Sequence, residues 1–177
     1  LAVARFGEHF SDFGWGQVLI DPIWQRFPFA AQDMFGQWHL ATYMLEGVFA
    51  LAVGVFALKV KTAKPGERFL RALLWWAAPQ ILCESLRAET IRWGFVRVQQ
   101  LQCAVFMLIV LLANAKRSGS LKEAGKAAGL FFIGIAAVVF VEYALDKLEF
   151  IPVLVLYGLM AAALAFMGMT AERQRKG

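Results

Sequence analysis

Within the stretch "CESLRAETIRWGFVRVQQLQ", Cys83 to Gln102, stand Glu84, Arg87, Glu89, Arg92 and Arg97, and strongly apolar segments lie on either side. A guanidinium pairs in a planar, bidentate way with phosphate or carboxylate. A carboxylate beside it can orient the guanidinium or take a proton. Charge near lipid is costly, about 2.5–3.5 kcal/mol at the bilayer centre on insertion scales, so it tends to be retained for work. Trp76, Gln80, Glu84 and Arg87 are spaced three or four apart and share one helix face. That stripe is too polar to face lipid. Glu46 and Glu142 are the other carboxylates inside apolar segments. Each acid also has a plainer use: Glu84 paired with Arg87, Glu46 bonded to backbone or to Tyr43, and Glu142 in the headgroup layer.

The elements that must hold these residues are helices in a membrane. The chain has 177 residues, 60% hydrophobic and 18% charged, with mean hydropathy +0.59. Soluble domains run about 45–50% apolar and about 25% charged. Five segments approach the roughly 20 apolar residues a span requires: 39–58, 69–86, 98–114, 128–145 and 151–170. The expected fold is an all-α polytopic helix bundle in one membrane domain, with a kink at Pro79 in the second helix. Residues 1–37 mix aromatic rings with charges and turn signals such as "GWG" and "DP". They predict a short helix near the start followed by an irregular arm at the membrane surface.

Charge gives an orientation. Twelve of the 18 basic residues lie in three segments: Lys59, Lys61, Lys64, Arg68 and Arg71; Lys116, Arg117, Lys122 and Lys126; and Arg173, Arg175 and Lys176 in the C-terminal tail. The intervening loops are balanced, with Asp146, Lys147 and Glu149 in the second. The positive-inside rule places the basic segments and the C-terminus in the cytoplasm. Glu46, Glu84 and Glu142 then fall in the outer half of the membrane, near Arg87, Arg92 and Arg97. This arrangement predicts a polar cavity opening outward.

Several chemistries find no support in the pattern. Cys83 and Cys103 read as buried thiols. His9 and His39 lack zinc-ligand spacing, so no metal is expected. No glycine-rich phosphate loop, nucleophilic triad or nucleic-acid module is present. The net charge of +5 is accounted for by loops attracted to anionic lipid.

Glu84-Ser-Leu-Arg87, followed after residues 88–96 by Arg97-Val-Gln-Gln100, resembles the E-x-x-R and R-V-x-Q pattern of the prolipoprotein diacylglyceryl transferase family. Upstream, "ARFGEHFSDFGWG" is similar to that family's G-R-x-G-N-F signature, with Arg5 in the arginine position. Three positions differ: Glu8 where the family has asparagine, Gln80 where it has arginine, and Trp76 where it has tyrosine. The resemblance divides the chain into an outer-surface segment (1–37) carrying part of the signature, a three-helix core (38–115) and a two-helix extension (116–177). It also implies that earlier helices are missing, as in an N-terminally truncated chain.

The resemblance implies transfer of a diacylglyceryl group from phosphatidylglycerol to the lipobox cysteine of prolipoproteins, at the outer leaflet of the bacterial inner membrane. Glu84 and Arg87 would be catalytic; Arg5, Arg97, Gln80 and Gln100 would bind the phospholipid. The implied partners are phosphatidylglycerol, the prolipoprotein signal peptide and membrane lipid, with no cofactor. Two other classes fit the same residues: a non-catalytic protein that holds anionic phospholipid, and a small transporter or structural subunit with Glu46 and Glu142 lining a path.

Overall fold

The structure, a computed structural model, describes residues 1–11, 14–62, 64–94, 96–118, 121–147 and 152–176. Glu149 and the side chains of Arg175 and Lys176, used above in the charge pattern, lie outside what it describes. Five long helices form the bundle: α2 (Thr42–Lys59), α3 (Glu67–Leu86), α4 (Val98–Ser118), α5 (Leu121–Lys147) and α6 (Val153–Lys176). A short α1 (Ala2–Gly7) precedes them. The protein is an all-α polytopic membrane bundle.

Four of the helices are long and apolar enough to cross a membrane, over Thr42–Lys59, Val98–Arg117, Ala124–Lys147 and Val153–Arg173. α3 is as long but holds Arg71, Gln80 and Glu84. It tolerates them because it is shielded: α3 packs against α2, α4 and α6. Leu74, Ala77, Ile81 and Glu84 are all buried there. Met107 and Val110 of α4, Val141 of α5 and Leu156 and Met160 of α6 complete the core with them. Other apolar residues point outward, among them Leu51, Leu58, Leu112, Phe132, Ile133 and Leu159. That distribution fits lipid as the surrounding solvent. Helix α3 runs unbroken through Pro79. Cys83 and Cys103 are buried free thiols.

The structure corrects three expectations. The first long helix begins at Thr42, not at residue 39, because the backbone just before it is extended. The Leu40 carbonyl accepts from Gly16 N at 2.8 Å, and the Ala41 amide donates to Phe29 O at 2.8 Å. The arm is less irregular than expected: β1 (Ala30–Gln32) pairs antiparallel with β2 (Trp38–Leu40), Ala31 opposite His39. The C-terminal tail is also helical, since α6 continues to Lys176. Glu172 anchors it by accepting from Arg71 Nε at 2.8 Å and Trp75 Nε1 at 3.3 Å. Asn114 of α4 donates to the Ala171 carbonyl at 3.2 Å.

A second hairpin lies in the loop between α3 and α4. There β3 (Arg92–Trp93) pairs with β4 (Val96–Arg97), and Arg92 stands opposite Arg97. The arm, this hairpin and the facing ends of α2, α3, α4, α5 and α6 gather at one end of the bundle.

Candidate functional site

Two glycines allow the arm to reach the helices. A Cβ at Gly47 would run into the Phe6 ring, so this bare position on α2 lets α1 lie directly across it. Arg5 and Phe6 are neighbours, as are Glu46 and Gly47, so the same crossing brings Arg5 to Glu46. Gly16 is hemmed in by Thr42, Leu40 and the Leu86 carbonyl. It forms an antiparallel bridge with Arg87, and the Ala88 amide donates to Trp15 O at 3.0 Å. The arm is thus stitched to the end of α3 where Arg87 emerges.

The first cluster is centred on Glu46, whose side chain is 1% exposed. Its Oε2 faces Arg5 Nε at 2.8 Å. Arg87 donates from Nε to Oε1 at 2.8 Å and from Nη2 to Oε2 at 3.0 Å, a bidentate pair. Glu8 joins from α1's end: Arg5 Nη1 donates to its Oε1, and Arg87 Nη2 reaches its Oε2 at 3.5 Å. Glu84 lies at 3.9 Å from Arg87 Nε, beyond hydrogen-bond range. Glu84 thus keeps Arg87 as a long ion-pair partner, while Arg87 gives its hydrogen bonds to Glu46, which does not pair with Tyr43. Tyr43 instead shares a 2.8 Å hydrogen bond with His9 Nδ1.

Arg97 organises a second cluster. Its Nη1 donates to the carbonyls of Glu84 and Arg87, the latter at 2.8 Å, and to Thr90 Oγ1 at 3.2 Å. A cation capping the last carbonyls of α3 is also favoured by the helix dipole. Glu142 of α5 lies 3.8 Å from Arg97 Nε, and its Oε1 accepts from Gln100 Nε2 at 2.6 Å. Gln100 also donates to Ile81 O at 3.2 Å. Glu142 is buried among helices, not set in a headgroup layer.

Each guanidinium keeps one terminal nitrogen that donates no hydrogen bond among the described residues: Nη2 of Arg5, Nη1 of Arg87 and Nη2 of Arg97. Three polar atoms of α3 are buried without a hydrogen-bond partner, Gln80 Nε2, Glu84 Oε2 and Ser85 Oγ. The first two belong to residues one turn apart. Unmade hydrogen bonds of this kind cost about 1–3 kcal/mol each and mark places where a ligand or water belongs.

All six residues singled out from the sequence thus lie at one end of the bundle, on α1, α3, α4 and the loop between α3 and α4. The single cavity expected around three carboxylates is not what forms. A polar cavity of ≈ 300 Å³ is lined by Arg97 and Glu142, together with Gln17, Ser85, Arg92 and Tyr157. Glu46 is instead sealed beneath α1. Glu8 was legible only as a departure from a family pattern; its position three residues after Arg5 was the signal for the pair it makes. Tyr157 and Gln17 carried no signal, since neither has a local polar neighbour to single it out.

The chain is similar in sequence to several curated bacterial proteins named phosphatidylglycerol–prolipoprotein diacylglyceryl transferase. It is 25% identical to that of Lactococcus lactis subsp. cremoris over 117 residues, covering 63% of this chain and 44% of that protein. It is 22% identical to that of Clostridium novyi over 131 residues, 69% of this chain and 51% of that protein. It is 23% identical to a Streptococcus pyogenes protein of the same name over 122 residues, 66% of this chain and 47% of that protein. The chain spans about half the length of the curated relatives it matches. No protein-family model matches the chain, and no solved structure does.

Proposed function

We propose that this chain takes part in transfer of a diacylglyceryl group from phosphatidylglycerol to the cysteine of a prolipoprotein, at the outer leaflet of a bacterial inner membrane. The observation that carries the reading is the convergence of part-buried Arg5 and Arg87 and buried Arg97, each with an unused guanidinium nitrogen, beside Gln80 Nε2 and Glu84 Oε2, which make no hydrogen bond. The names of the relatives supply the reaction class.

In that reaction a sulfur–carbon bond forms to the diacylglyceryl group. The carbon–oxygen bond to phosphate breaks, and glycerol-1-phosphate leaves with the electron pair. The thiol proton must go to a base, since the thiolate is the nucleophile. Glu84 is the candidate: its Oε2 is buried and free of hydrogen bonds. Arg87, together with Arg5 and Arg97, is the candidate to hold the phosphate that departs. Donors aimed at the developing charge in a water-poor site contribute more than they would in water. Gln80 Nε2 and Gln100 add neutral donors. Acyl chains have a route of their own, an apolar groove of ≈ 520 Å³ where α2 and α6 flank α3, lined by Phe49, Trp75, Pro79, Leu82 and Leu164.

The test is transfer of labelled diacylglycerol from phosphatidylglycerol to a lipobox peptide, using the longest natural form of the protein. Transfer that falls at least 100-fold in Glu84→Gln and Arg87→Lys, on the scale of a lost general base or oxyanion donor, is the expected result. A folded preparation with no transfer sinks the reading.

One observation favours a second reading, a protein that holds anionic phospholipid without catalysis: Gln80 can donate a hydrogen bond to a headgroup but brings no positive charge to a departing phosphate, and Glu8 engages Arg5. Headgroup-selective lipid co-purification without transfer, lost in an Arg5→Ala plus Arg97→Ala variant, distinguishes it.

A further inference from the structure

The cavity of ≈ 300 Å³ between the α3–α4 loop, α5 and α6 has a composition of its own. Arg92 and Arg97 both line it, and they stand directly opposite one another on β3 and β4. Like charges directly opposite in that register repel. Arg92 has no ion pair among the described residues, whereas Asp146 at the rim is paired with Lys147 at 3.1 Å. Of the lining charges, Glu142 faces Arg97 and Asp146 is engaged by Lys147 from outside the cavity, so Arg92 is the lining cation with no ion pair among the described residues.

The wall holds an independent sign of a missing partner. Ser85 is 1% exposed, and its Oγ has no hydrogen-bond partner. A serine inside a helix ordinarily bonds back to the carbonyl four residues earlier. Here that carbonyl, Ile81 O, already accepts from Gln100 Nε2. The hydroxyl is therefore left free where the cavity begins. Tyr157 of α6 adds a second hydroxyl at the same wall, within 3.4 Å of the Ser85 carbonyl, and Gln17 of the arm adds an amide.

We propose that this cavity, closed by Tyr157 and Glu142 of the last two helices, binds a singly charged phosphate group between Arg92 and Arg97, with Ser85 as a hydroxyl donor. The ligand chemistry is a phosphate ester or phosphate monoanion, which gives Arg92 an anionic partner and separates two like charges. The inference rests on the reading of Arg97 as a phosphate ligand, but not on any transfer step. It makes α5 and α6 part of a binding site and not merely a brace.

The experiment is phosphorus NMR titration of the detergent-solubilised full chain with inorganic phosphate, repeated in nanodiscs of phosphatidylglycerol and of phosphatidylcholine. Saturable binding is expected, weakened about tenfold in Arg92→Gln, as for loss of one charge-assisted pair. Ser85→Ala should weaken binding while leaving the melting temperature unchanged or raised, because it removes an unsatisfied buried group; a purely structural serine would not separate the two. If phosphatidylglycerol discs exclude phosphate and phosphatidylcholine discs do not, the occupant is a lipid headgroup. If neither excludes it, the occupant is free phosphate. Absence of saturable binding, or binding indifferent to both substitutions, overturns the proposal. Phosphate binding without diacylglyceryl transfer would remove only the transferase reading; transfer without variant-sensitive binding would remove only this one.

Discussion

Glu46 meets two guanidiniums with both oxygens in a place that admits 1% exposure. Removing one partner of a buried pair leaves the other charge uncompensated, which costs about 3–5 kcal/mol. Glu46→Ala should therefore lower the unfolding free energy in detergent by roughly that amount, with Glu46→Gln milder because the amide oxygen still accepts. Glu8 has the opposite consequence. It occupies Arg5 and reaches Arg87, so Glu8→Asn should release both toward phosphate. Phosphatidylglycerol affinity should rise on the order of tenfold, as for one charge-assisted hydrogen bond gained; unchanged affinity in a lipid-competition assay would show that Glu8 does not hold these arginines back. These residues were legible in the sequence as charges in greasy surroundings. Their partners were not: Glu46 and Arg87 are 41 positions apart, and nothing local to either one names the other.

At the scale of elements, the arm and its seat on α2 matter most. Gly47→Val should push Phe6 and with it α1 off the helix, taking Arg5 from Glu46. Limited proteolysis should then cut within residues 1–41 at least several times faster, while α2–α6 stay intact. The ribbon β1–β2 has its own pH dependence. Desolvation pushes the Asp33 carboxyl up, but hydrogen bonds from the Gln37 amide, the His39 ring and the Phe35 amide outweigh it and hold it below its ordinary value of 3.8. A carboxyl depressed on folding gives stability that is present above pH 3.8 and is lost as pH falls through its lower folded value. Amide exchange at Phe35 and Gln37 should therefore quicken, relative to intrinsic rates, only below that pH. Helix extents were readable because length and hydropathy are local properties. The ribbon was not, since its strands are three residues each and alternate too briefly to register.

Over the whole molecule, the two ends of the bundle do different work. At one end, charges converge from α1, α2, α3, α5 and the loop between α3 and α4. At the other, Arg71 and Trp75 of α3 hold Glu172 of α6, with Arg71 also stacked 5.1 Å above Phe56. Arg71→Met should cost about 1–2 kcal/mol of stability, the worth of one partly buried charged pair. It should leave phospholipid affinity unchanged, because it lies at the end remote from the arginine cluster; a matching loss of affinity would mean that the two ends are coupled.

What the sequence determined by itself was the class of the molecule and its cast: five helices of spanning length, the helix face of Gln80 and Glu84, and three carboxylates that would need partners; Arg87, expected on that face, instead stands just past the helix end in extended backbone. Those follow from short-range rules, in which about 1.5 Å of rise per residue sets depth and spacing sets the face. What only the tertiary structure decided was who meets whom. It gave Glu46 to Arg5 and Arg87, gave Glu142 to Gln100 and Arg97, left Glu84 Oε2 and Gln80 Nε2 without hydrogen bonds, and made a cavity with Tyr157. Such choices depend on the rotation and relative depth of several helices at once. Away from water, each buried charge must find its partner across the bundle, because no solvent is there to serve instead.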